Sequence, residues 1–248
     1  MATWITHLRI AEKLLARIPD LDPGAFAVGN IAPDSGIPDE NWETFTPPPK
    51  VSHLATRPFR YEEAFEPADP PWRLADLDFY RRYLAEPAEG KRFAFRLGYF
   101  FHLVTDNLWE IEVGRPTIRR FAAEFAADEK FIWEVKRDWY GLDFEHVRAH
   151  PDALFWKVFL NCAHDEAYTL DYMPADAVQQ RIAYIQELYQ RDDEKTRAHY
   201  IERPDRYLSK EEMDRFVDES TAKLYRIHGR LLEAHIETAG LVSALELI

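Results

Sequence analysis

The chain holds one cysteine, Cys162, so it cannot form an internal disulfide. No apolar run approaches the roughly 20 residues that a membrane-spanning helix needs. The opening stretch, "MATWITHLRIAEKLLARIPD", has the pattern of an amphipathic helix. It lacks the unbroken apolar core and small-residue cleavage site of a secretory signal. A reducing, cytoplasmic location is therefore expected, with Cys162 a buried, inert thiol. Positive charge is scarce as well: 31 Lys and Arg stand against 44 Asp and Glu, a net charge of −13. Such a chain repels phosphate backbones and anionic lipid surfaces, so neither a nucleic-acid polymer nor stable membrane insertion is expected. A small phosphorylated substrate remains compatible, because a bound cation reverses the local field. Nothing in the composition fixes the oligomeric state.

What is present is core material. Hydrophobic residues make up 46% of the 248 positions and aromatics 14%. That is ample for one folded domain spanning 1–248. Ile5, Leu8, Leu14, Leu15 and Ile18 form a helical stripe over 5–18. Asp22-Pro23 reads as an N-cap with proline in the first turn of a short second helix ending near Gly29. From about 30 to 72 the pattern changes. Nine of the sixteen prolines fall there, interleaved with Trp42, Phe45, Phe59, Tyr61, Phe65 and Trp72. A loop of that length with that aromatic content implies a packed, functional segment. Beyond it, helices are expected near 74–85, 89–113, 116–137, 152–172, 175–191 and 209–238, with a charged surface connection at 192–208. Strand alternation and internal repeats are lacking. The expected fold is all-α, a single multi-helical domain with a Pro-rich irregular loop near its start.

The stretch "GYFFHLVTDNLWE" (98–110) carries the chemistry. The helix is apolar on all sides, which implies burial, yet His102 and Asp106 sit four residues apart on one face. A buried carboxylate is costly unless it is paired or bound to a metal. Three further residues bear on the choice. His7 lies one turn into the first helix, Asp34 lies in "GNIAPDSG", and His53 lies in "PPPKVSHLA". Each alone reads as an ordinary surface histidine or turn aspartate. Together they make three imidazoles and two carboxylates, donors suited to Zn²⁺ or another divalent ion. One ion would use Asp34, His53, His102 and Asp106; a bridging Asp106 with His7 would serve a second.

The ordered set "WxxH" (Trp4–His7), "GNIAPDSG" (29–36), "SH" (52–53) and "GYFFHLVTDNLW" (98–109) resembles the zinc-dependent phospholipase C family. This is the all-helical fold related to zinc nucleases of the S1/P1 type, and the likeness is closest to its small intracellular hydrolase-like branch. "FIWEVKRDWYGLDF" (131–144) and "EEMDRFVDES" (211–220) are similar to that branch too. The resemblance implies that Asp34, His53, His102 and Asp106 bind one zinc and that His7 helps hold a second through Asp106. In secreted members an N-terminal tryptophan ligates through its backbone; here Trp4 is internal. Those members also have a histidine six residues after the bridging aspartate. This chain has Glu112 there, an additional ligand or a supporting group, so at most two ions are expected. The implied activity is hydrolysis of a phosphate ester, foremost a phosphodiester, with Asp34 assisting the attacking water.

Two other readings stand beside it. His164-Asp165 in "NCAHDEAY" is the doublet of HD-type metal phosphohydrolases, for which His102 with Asp171 or Asp176 would complete the set. Alternatively the chain is a helical protein that binds without catalysis. His228 and His235 read as helix-surface histidines, and His146, His150 and His199 as solvated ones.

Overall fold

A computed structural model describes residues 1–41, 43–56, 72–85, 89–128, 130–203, 206–232 and 237–248. Helix α1 (Trp4–Leu15) turns its apolar stripe inward, burying Ile5, Leu8, Ile10, Ala11 and Leu14. Helix α2 (Pro23–Gly29) starts as its sequence dictates: the Asp22 carboxylate accepts from the Ala25 N–H at 2.8 Å, and Pro23 fills the first turn. The chain then makes a single 3₁₀ turn, Ala32–Asp34. A two-residue antiparallel ladder of β1 (Ile37–Pro38) with β2 (Phe45–Thr46) follows, then the one-turn helix α3 (Pro49–Ser52). The expected irregular loop is thus locally ordered over its first half. Trp42, Phe59, Tyr61, Phe65 and His235, all singled out from the sequence, lie outside the described residues.

Helix α4 (Asp76–Tyr83) leads into α5 (Gly90–Trp109), the buried centre of the molecule. From Ala94 to Trp109 only Arg96 escapes full burial. Helix α2 lies along α5 at backbone contact. A methyl group on Gly29 would collide with the Phe95 carbonyl, and one on Gly98 with the Phe26 carbonyl. Two glycines facing each other are what let these helices touch. This approach holds Asn30, just past the end of α2, against the middle of α5.

The expected 116–137 helix is broken in three. After a π-type turn at Glu110–Gly114 come α6 (Arg115–Arg120) and α7 (Ala122–Ala127), then α8 (Phe131–Ala149). Phe121 leaves the helical region (φ −117°, ψ 35°). Asp128 is extended, and its side chain accepts the Lys130 N–H at 2.8 Å, a local bond that competes with helix continuation. Helix α8 in turn overruns the expected boundary. Gly141 lies within it, beside the Tyr200 carbonyl, where a side chain would not fit.

The expected 152–172 helix is reduced to α9 (Leu154–Lys157) and two 3₁₀ turns. A distant residue explains the loss. Gln186, on α10 (Ala177–Gln190), donates from Nε2 to the carbonyls of Phe159, Leu160 and Cys162 at 2.9, 3.1 and 3.0 Å. Those acceptors no longer need helical partners. Helix α11 (Glu194–Thr196) and a π-type turn occupy part of the charged connection. Helix α12 (Lys210–Leu231) opens with a full capping box between Ser209 and Glu212. The architecture is all-α, as expected, around one continuous hydrophobic core. Among the described residues no helix is long and apolar enough to cross a membrane.

Candidate metal centre

Four separate segments converge on one point: α1 brings His7, the 3₁₀ turn Asp34, the end of α3 His53, and α5 both His102 and Asp106. The two oxygens of Asp106 divide the work. Oδ1 lies 3.4 Å from His7 Nε2; Oδ2 lies 3.3 Å from His102 Nε2 and 3.7 Å from His53 Nε2. His53 Nε2 is in turn 3.3 Å from Asp34 Oδ1. The rings of His7 and His102 stack at 3.8 Å, tilted by only 5°. Two overlapping sets of donors result, His7–His102–Asp106 and Asp34–His53–His102, and either could hold a metal ion. All five residues named from the sequence are brought together, and His102 belongs to both sets.

Neighbouring groups fix the orientations. His102 Nδ1 lies 2.8 Å from the Asn30 carbonyl, which can only accept, so Nδ1 carries the proton and Nε2 keeps its lone pair. His53 Nδ1 contacts the Pro49 carbonyl at 3.2 Å and Ser52 Oγ at 3.0 Å. This is the arrangement that metal-ligating histidines use, one nitrogen tied to an acceptor and the other presented. The Ala2 backbone N–H donates to Asp106 Oδ1 at 2.7 Å. Trp4 contributes its side chain, the indole Nε1 donating to Asp34 Oδ2 at 2.8 Å. Thr3, between them, donates to Asp143 Oδ1 at 2.6 Å, which anchors the segment.

The electrostatics follow from burial and proximity. Burial, then the neighbouring His102, pushes His7 down to about 4. Burial also acts against the charged forms of His102, Asp34 and Asp106, but their mutual attraction outweighs it. His102 is raised by Asp106, while Asp34 is held below the usual carboxylate range by His53 and His102. Asp106 is held well below that range by His102 and His7. His7 Nε2, His102 Nε2 and Asp106 Oδ2 are buried with no hydrogen-bond partner. Buried polar atoms are seldom left so. Two imidazole nitrogens and a carboxylate oxygen gathered in one buried spot are the donor chemistry of a divalent cation, and the residues fit such an ion.

Asp34 alone among the five opens outward. Its side chain is 14% exposed, against 1% or less for the others. It borders a cavity of about 790 Å³ walled by Trp4, Phe45, Trp133, Tyr140, Tyr184 and Tyr200. Trp133 and Tyr140 come from α8, Tyr184 from α10 and Tyr200 from the π-type turn after α11, all far along the chain. Of the aromatics of the Pro-rich loop, Phe45 lines this cavity.

Glu112 lies in neither donor set; it accepts an ion pair from Lys223. The doublet reading also lacks geometry among the described residues. His164 is exposed, and Asp165 pairs with Lys91 and caps its own turn. Asp171 is bonded to Tyr83 and Arg82, and Asp176 to Gln180. His146 is half-buried and stacked on His150 at 4.2 Å, not freely solvated, with burial pushing it to about 3. His199 is exposed at the cavity rim. Burial raises the Cys162 thiol to about 11, so it is inert at neutral pH.

The Ala2 amide and the Asn30 carbonyl act through backbone atoms, which leave no residue-type signal in the sequence. Arg181 of α10 lines the cavity beside the centre. Comparison with models of known families, with curated proteins and with solved structures finds no match.

Proposed function

We propose that this protein is a metal-dependent hydrolase of phosphate esters, foremost phosphodiesters, with Zn²⁺ as the ion its donors suit best. One observation carries the reading: the partnerless His7 Nε2, His102 Nε2 and Asp106 Oδ2, buried next to Asp34, which lines a large cavity. A bound divalent ion would supply a water acidic enough to attack at neutral pH and would neutralise charge on the phosphoryl oxygens.

The chain's own residues supply the rest. Asp106 and His102, on one face of a rigid buried helix, hold fixed rotamers. His7 completes one donor set and His53 the other. Asp34, ionised and partly open to the cavity, accepts a proton from the attacking water or orients it through a hydrogen bond. Its other oxygen is tied to the Trp4 indole, which fixes the direction of the free lone pairs. The aromatic walls exclude water and suit an organic group on the ester.

The test is a zinc-reloaded preparation assayed on bis(p-nitrophenyl) phosphate and a panel of mono- and diesters. The reading expects turnover that falls at least 100-fold in Asp34→Asn. Stoichiometric metal without turnover on any ester would favour the non-catalytic role instead.

A further inference from the structure

Arg181 stands on α10 with its side chain in the wall of the main cavity, and it is 94% buried, its relative exposure being 6%. One of its nitrogens, Nη2, donates to the Gly36 carbonyl at 3.2 Å, while Nε has no partner. Among the described residues no carboxylate pairs with it. Its guanidinium lies over two aromatic faces, 5.4 Å from the Trp4 ring and 5.5 Å from the Tyr184 ring. A buried cation without a counter-ion is costly, and aromatic faces compensate only in part. The other Lys and Arg residues lining the cavity differ. Arg137 is paired with Glu134, Lys136 lies over the Trp133 ring, and Lys130 is exposed to solvent.

The position of Arg181 relative to Asp34 matters. The Trp4 indole donates from its edge to Asp34 and offers its face to Arg181. The guanidinium and the candidate metal centre are therefore one indole apart, along the same cavity.

We infer that Arg181 forms an oxyanion subsite, and that the substrate carries an anionic group, phosphate or carboxylate, in addition to the ester phosphorus. The substrate assignment rests on the proposed hydrolase reading; the anion subsite itself does not. A planar guanidinium fork matches either group with two parallel hydrogen bonds. In a chain of net charge −13, a buried cation is also what lets an anion enter at all.

The experiment uses the full chain stripped of metal with EDTA. It is titrated calorimetrically with inorganic phosphate and, separately, with benzoate, intrinsic tryptophan fluorescence providing a second readout. The wild type is expected to bind at least one of them at one site per chain, and the stronger of the two identifies the group. Arg181→Gln is expected to weaken that binding at least tenfold while taking up as much zinc as the wild type on reloading. Arg181→Lys, which keeps the charge and loses the fork, is expected to weaken it about threefold or more, and it decides the matter if the glutamine variant does not fold. Failure of the wild type to bind either anion, or equal binding by the folded variants, overturns the subsite. Arg181-dependent anion binding by a wild type that takes up no zinc would overturn the metal reading and leave the subsite standing.

Discussion

His102 donates its Nδ1 proton to the carbonyl of Asn30 at 2.8 Å, and this bond aims Nε2 at Asp106 Oδ2. His102 Nε2 has a single lone pair, so it serves one ion, in whichever of the two overlapping donor sets that ion fills. Metal content by plasma mass spectrometry is expected to fall by one ion per chain in His102→Ala. His7→Ala and His53→Ala separate the sets, since the variant that loses the same ion names the set that holds it.

The Asn30 carbonyl is placed by the glycine contact between α2 and α5. Gly98→Ala puts a methyl group against the Phe26 carbonyl, and backbone cannot move aside as a flexible side chain would. The cost of such overpacking is roughly 1–3 kcal/mol, or about 2–12 °C in melting temperature for a domain of this size. Thermal unfolding followed by circular dichroism measures it. Zinc affinity is expected to drop in the same variant, because the His102 acceptor shifts.

Trp4 touches the centre only through its indole N–H, while its ring packs on Tyr140 and Tyr184. Trp4→Phe keeps the ring and deletes the donor to Asp34. Removing a partner of this kind typically costs about 10–100-fold in activity or metal affinity. Steady-state kinetics are expected to show that loss in kcat, with the melting temperature within a few degrees of wild type.

Asp76 supplies a pH signature away from the centre. Burial pushes its carboxyl up to about 7, opposed by hydrogen bonds from Ser243, Ala244 and Asn107. An acid whose folded pKa lies above its unfolded value near 3.9 binds more protons folded than unfolded. Stability from this group is full below about pH 4 and is lost as pH rises to about 7. Asp143, also pushed to about 7 by burial, acts in the same direction, whereas His7, pushed to about 4, acts in the opposite one. The difference between wild type and Asp76→Asn isolates the one group. Urea unfolding at several pH values is expected to show the wild type losing about 1–4 kcal/mol more than the variant across that window.

Much of this centre was legible in the sequence because its ligands are side chains with a register. The His102–Asp106 spacing fixes a shared face on any helix, and an apolar helix makes such a pair expensive without a partner. The Asp22-Pro23 start of α2 was legible for the same local reason. The breaks after Ala127 and within 152–172 were not. Helical periodicity continues through both, and what stops the helices is an Asp128 side-chain bond and a glutamine on α10 some 25 residues away. Arg181 was invisible too, since only the fold brings α10 beside Trp4. Glu112 was singled out by its offset from Asp106, but the π-type turn at Glu110–Gly114 alters the register just there, and the side chain meets Lys223.

The most direct test of the central claim is an anomalous-difference map at the zinc edge from crystals of the zinc-loaded chain. The expected result is an anomalous peak among His7, Asp34, His53, His102 and Asp106, within bonding distance of His102 Nε2. A map with no peak among these five residues, from protein that otherwise diffracts as folded, would contradict it.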